Sequence, residues 1–87
     1  MSVRTGVTPK GALVYLRILV EARDLEECLE TLAELPYPLN PQIFHRWEGT
    51  SKTAIEVPAY EGWLSEIREA LLRSGFPAPA GVTPATV

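Results

Sequence analysis

The sequence predicts an α+β fold, a two-layer domain in which helices cover one face of a β-sheet. Three observations predict it. Within residues 12–21, Val14, Leu16, Ile18 and Val20 alternate with other residues, the period of a strand. Residues 24–35 and 61–74 repeat apolar side chains at helical spacing. Between those helical stretches, residues 42–59 read as two strands around a Gly-Thr-Ser turn. The order is therefore βαββα.

Residues 1–11 hold Gly6, Pro9 and Gly11 and are expected to form an irregular lead-in. In the first strand, Ala12 to Glu21, the second face is mixed: Leu13, Tyr15, Arg17, Leu19 and Glu21. Two largely apolar faces point to a central strand or one covered on both sides. Asp24 is a good N-cap for the first helix, and Glu27 stands at capping-box spacing from it. Leu25, Cys28, Leu29, Leu32 and Leu35 make one stripe along that helix. Burying the stripe contributes on the order of 10 kcal/mol gross. Ordering the helix backbone costs about as much, so the helix needs a sheet to pack on. Pro36 ends it, and Pro38 and Pro41 keep the connection extended.

Gln42 to Glu48 reads as the second strand and Lys52 to Ala59 as the third. With Gly49-Thr50-Ser51 as the loop, Glu48 would face Lys52. In that register Ile43, His45 and Trp47 share the helix-covered face with Thr53, Ile55 and Val57. Phe44, Arg46, Ala54 and Glu56 point outward. Pro58 marks a frayed stretch or an open edge. The second helix, Glu61 to Ser74, presents Trp63, Leu64, Ile67, Ala70 and Leu71 on one side. Gly75 caps it, and Phe76 supplies the accompanying apolar contact. A single α+β domain over 12–76 is thus expected, followed by an uncharged Pro/Ala-rich tail over 77–87.

At 46% hydrophobic and 22% charged residues, the composition is that of a folded globular chain. The net charge of −3 argues against a nucleic-acid partner. A lone cysteine leaves no internal disulfide, and no apolar run approaches a membrane span. The expectation is a cytoplasmic protein with no membrane partner and no cofactor.

The order βαββα is five sixths of the ferredoxin-like sandwich. The fourth strand would have to come from Ala80 to Val87, which is short and carries Pro84, so it is expected to be weak or missing. Without it the most hydrophobic strand becomes an edge, and exposed edges promote association. A homodimer through the sheet follows, with Tyr15, Leu19 and Phe44 as an apolar centre ringed by Arg17, Arg46 and Glu56.

Candidate chemistry is sparse. His45, the only histidine, is a candidate general base or metal ligand, although a lone histidine in a sheet more often has a structural role. Cys28 lies on the apolar stripe of an acidic helix, the setting of a small hydrophobe rather than a nucleophile. Asp24, Glu26, Glu27, Glu30 and Glu34 make an acidic face, commonly just solvated, that also suits a basic partner or a divalent ion. Trp47 and Trp63, with Tyr37 and Tyr60, belong to the core or to a pocket between helix and sheet. No phosphate loop, catalytic triad or paired-cysteine spacing is present.

Over Leu16 to Leu25, Asn40 to Phe44, Thr53 to Val57 and Ile67 to Gly75, about two thirds of the chain, the hydrophobic spacing resembles that of an ACT-type regulatory domain. The resemblance implies binding of a small-molecule effector, often an amino acid, at a subunit interface near the first strand–helix turn. That family commonly opens the first helix with a glycine; Arg23-Asp24-Leu25-Glu26-Glu27 has none.

The leading expectation is a non-enzymatic binding or regulatory module that homodimerises through its sheet. A competing one is a small dimeric α+β-barrel enzyme whose pocket uses His45, Trp47 and Tyr15. A third is a structural subunit of a larger assembly.

Overall fold

The computed structural model describes residues 11–85. The strands are β1 (Leu13–Glu21), β2 (Gln42–Phe44), β3 (Lys52–Tyr60) and β4 (Gly81–Pro84); the helices are α1 (Leu25–Ala33) and α2 (Leu64–Arg73). The expected lead-in lies, apart from Gly11, outside the described residues.

The four strands make one antiparallel sheet in the order β2-β3-β1-β4. β1 and β3 run together for nine residues, with Leu16 opposite Val57 and Ile18 opposite Ile55. Alternation along β1 sends Val14, Leu16, Ile18 and Val20 to one face, and all four are buried. Ile55, Val57 and Ala59 join them there, as do Cys28 and Leu32 of α1 and Ile67 and Leu71 of α2. Both helices therefore lie on the same side of the sheet.

Each helix begins with a short 3₁₀ turn, Ala22–Asp24 before α1 and Glu61–Trp63 before α2. Asp24 holds the N-cap position of α1, but its side chain makes no capping hydrogen bond, so the expected capping box does not form. The preceding 3₁₀ turn has already drawn Asp24 out of extended geometry, to φ −97° and ψ 1°. The C-terminus of α2 follows its sequence signal closely. Gly75 adopts φ +86°, its N–H donates to Leu72 O at 3.1 Å, and the Phe76 N–H donates to Leu71 O at 2.8 Å. This is the Schellman pattern, and Phe76 is buried beside the core.

The fourth place in the sheet is filled from within the chain. Gly81–Pro84 pairs with β1 from Arg17 to Val14, and the Ala80 N–H donates to Arg17 O at 2.7 Å. β1 is thus a central strand, and the edge on which the dimer expectation rested is occupied.

The β2–β3 connection departs most from expectation. β2 stops at Phe44, and its register places Ile43 opposite Ile55 and Phe44 opposite Ala54. The turn is longer than three residues because Arg46 (φ 54°) and Glu48 (φ 51°) are both left-handed, as is Gly49 (φ 78°). A strand cannot pass through such residues. Glu48 consequently does not face Lys52. The Lys52 ammonium instead pairs with Glu21 across β1–β3, at 2.8 Å.

Candidate functional site

Helices cover one face of the sheet, and among the described residues no helix or strand covers the other, open face. The open face carries Leu13, Tyr15 and Phe44, each about 40% exposed, with the half-buried Leu19 opposite Ala54. At its centre the Arg17 guanidinium donates to Glu56 Oε2 through Nε (3.2 Å) and Nη2 (3.0 Å). The Trp47 ring lies against the same guanidinium, 4.7 Å from carbon to ring centroid. Trp47 also meets the edge of Phe44, with ring centroids 5.7 Å apart. Partial burial and the shared indole give this ion pair more weight than a free surface pair, which contributes about 0–1 kcal/mol. Gly81 lies opposite Arg17, and a Cβ there would stand 3.5 Å from Arg17 Nη1.

Two expected placements are exchanged. Trp47 was expected on the helix face and packs instead on the open face. Arg46 was expected on the outward rim and instead lines a recess with His45 at the end of the sheet. The cause is the left-handed pair Arg46 and Glu48, which breaks the simple alternation of a strand. Of the expected interface set, Tyr15, Arg17, Leu19, Phe44 and Glu56 do share the open face.

The expected ligand set does not converge. Tyr15 pairs with Pro58, whereas Leu19 and Ala54 share the row of Phe44, four residues further along β1, or roughly 14 Å. His45 lies beyond that row and is exposed. Trp47, packed against Arg17, shares the open face with Tyr15, while His45 lines the recess at the end of the sheet.

The recess holding His45 measures about 390 Å³ and is lined by Ala22, His45, Arg46, Ser51 and Thr53. Thr53 is only 2% exposed, and its hydroxyl makes no hydrogen bond among the described residues. A buried hydroxyl without a partner costs about 1–3 kcal/mol. The residues came from three separate stretches of sequence, and no local motif announced them. The one available signal was a threonine on the apolar face of a strand.

Elsewhere, Tyr37 stacks on Trp63 with ring centroids 4.3 Å apart, and Tyr60 meets Trp63 edge-on at 5.1 Å. The Tyr37 hydroxyl donates to the Glu66 carboxylate, which holds the Tyr37 pKa above its usual value, with burial adding to the effect. These three rings form a cluster separate from Trp47. Cys28 is fully buried, and burial, with a smaller contribution from Asp24, pushes its thiol up to about 11. Among the described residues, no three His, Cys, Asp or Glu side chains gather as a metal-ligand set. Among the same residues, no helix is long and apolar enough to cross a membrane. No protein-family model, curated protein or solved structure matches the chain.

Proposed function

We propose that this protein is a non-enzymatic binding module of ferredoxin-like topology that associates as a homodimer through the open face of its sheet. The observation that carries the reading is that open face. Leu13, Tyr15 and Phe44 stand exposed there around an ion pair already neutralised within the chain. Apolar side chains around a satisfied polar centre suit a surface that is buried part of the time. The strand order, with a helix after β1 and another after β3, supports the ferredoxin-like topology. The ACT-type kinship rests on the spacing of the same segments and remains part of the proposal.

The area sets the strength. Nine paired residues of β1 and β3 span about 30 Å by 10 Å, and the short flanking strands bring the face to roughly 400 Å². Stable complexes bury about 800 Å² per partner. The dimer is therefore a weak one, and Trp47 at the turn must contribute to it.

Sedimentation velocity across a broad concentration range tests this. The wild-type chain should show a concentration-dependent shift from monomer to dimer, and Leu19→Glu should remain monomeric with an unchanged far-UV spectrum. A wild-type chain monomeric throughout, or a Leu19→Glu variant that dimerises equally, overturns the reading.

A further inference from the structure

We infer that the recess beside the β2–β3 turn binds an oxyanion group, phosphate or carboxylate, carried by a small molecule. Its lining supplies a guanidinium (Arg46), an imidazole (His45), two hydroxyls (Ser51 and Thr53) and, among the described residues, no carboxylate. That is a pointed exclusion in a chain with 11 acidic residues and a net charge of −3. Guanidinium and hydroxyl donors are the groups that hold oxyanions.

The donors are uncommitted. The Arg46 side chain has no ion pair or hydrogen bond among the described residues, and neither does the Thr53 hydroxyl. Thr53 is also 2% exposed and fixed in place opposite Val20 by the β1–β3 pairing. Buried polar groups almost always have partners, so an orphan that lines a recess marks where a ligand would complete the set.

The turn that presents Arg46 is itself held firmly. The Thr50 hydroxyl donates to Trp47 O at 2.7 Å and accepts from the Lys52 N–H at 3.1 Å. A preset turn lowers the ordering cost of binding. The volume, about 390 Å³, lies within the range of small-ligand sites and exceeds what a bare anion fills. The oxyanion is therefore the head group of a larger molecule. The site is built within one chain, on the helix side of the sheet, and does not depend on the dimer proposed above.

The test is amide chemical-shift mapping on the whole chain, titrated separately with sodium phosphate and sodium acetate at constant ionic strength. Shifts should concentrate at residue 22 and residues 45–53. Arg46→Ala and Thr53→Val should each weaken the apparent affinity by about tenfold, the effect of losing one charged or buried hydrogen-bond partner. Ser51→Ala serves if Thr53→Val does not fold. The stronger of the two anions identifies the head group. Absence of shifts with both anions, shifts centred elsewhere, or wild-type affinity in Arg46→Ala together with either hydroxyl variant overturns the inference. None of those results bears on sedimentation, so the two proposals fail separately.

Discussion

Replacing Thr53 with valine exchanges a hydroxyl for a methyl group of nearly the same shape. Most substitutions of a buried residue destabilise, yet this one should stabilise. Thr53 lies between Ile55 and the start of β3, opposite Val20, with 2% of its surface exposed. Its hydroxyl has no hydrogen-bond partner among the described residues. Folding therefore removes most of that hydroxyl's water without a protein partner in its place, and complete loss costs about 1–3 kcal/mol. The neighbouring recess admits some hydration, which favours the lower end, and valine adds an apolar contact. A gain of about 1 kcal/mol corresponds to a rise in Tm of roughly 4–8 °C for a domain of this size. Thermal unfolding by circular dichroism in a chloride buffer free of oxyanions reads the effect directly. Urea unfolding should show a higher midpoint at unchanged slope. A lower Tm for Thr53→Val would refute the reasoning, because it would mean that the hydroxyl has a stabilising partner in the folded state.

Three further outcomes follow from other contacts. The Lys52 ammonium, by hydrogen bond and by charge, holds the Glu21 carboxyl below its usual value of 4.5. A depressed folded-state pKa contributes stability above the unfolded value, and that contribution is lost as pH falls through the folded one. Lys52→Met should therefore flatten the fall in stability below about pH 4.5, measured by urea unfolding at stepped pH; an unchanged profile counts against the pair. Gly75→Ala meets no atom within 4 Å but forces alanine to φ +86°, so it should cost about 1 kcal/mol through backbone strain alone. Chemical denaturation checks that value, and a neutral result contradicts the assigned cap. Cys28, with its thiol raised to about 11 and fully buried, should resist alkylation at neutral pH until the chain unfolds. Rapid labelling of the native protein would show that α1 opens locally.

The parts of this fold legible in sequence are those specified by local periodicity. β1 declares itself by four alternating apolar residues that all prove buried, and α2 by its stripe and by the Gly75–Phe76 stop. β4 was obscured because four residues ending in Pro84 carry almost no local signal. Its existence depends on pairing with β1 far earlier in the chain, from Arg17 with Gly81, 64 positions apart, to Val14 with Pro84, 70 apart. The β2–β3 turn differs from the expected Gly49-Thr50-Ser51 loop because Arg46 and Glu48 are left-handed, a geometry that their residue types do not signal. That single difference moved Trp47 and Arg46 from their expected surroundings and split the expected ligand set. The open-face residues were nonetheless found, since parity along β1 and β3 survives any shift of β2 by two.

Pro58 stands inside β3 without weakening it. β2 pairs only with residues 54–56 of β3, so at Pro58 the strand has a neighbour on the β1 side alone. The Ala12 carbonyl accepts from the Glu61 N–H at 2.9 Å, while Leu13 O accepts from the Ala85 N–H on the other side. Rungs therefore alternate between neighbours, and the Pro58–Tyr15 row directs the proline nitrogen toward the open side. A strand arriving there from another molecule would find no donor to bond. At that position, extension of the sheet along the β3 edge lacks one of its hydrogen bonds.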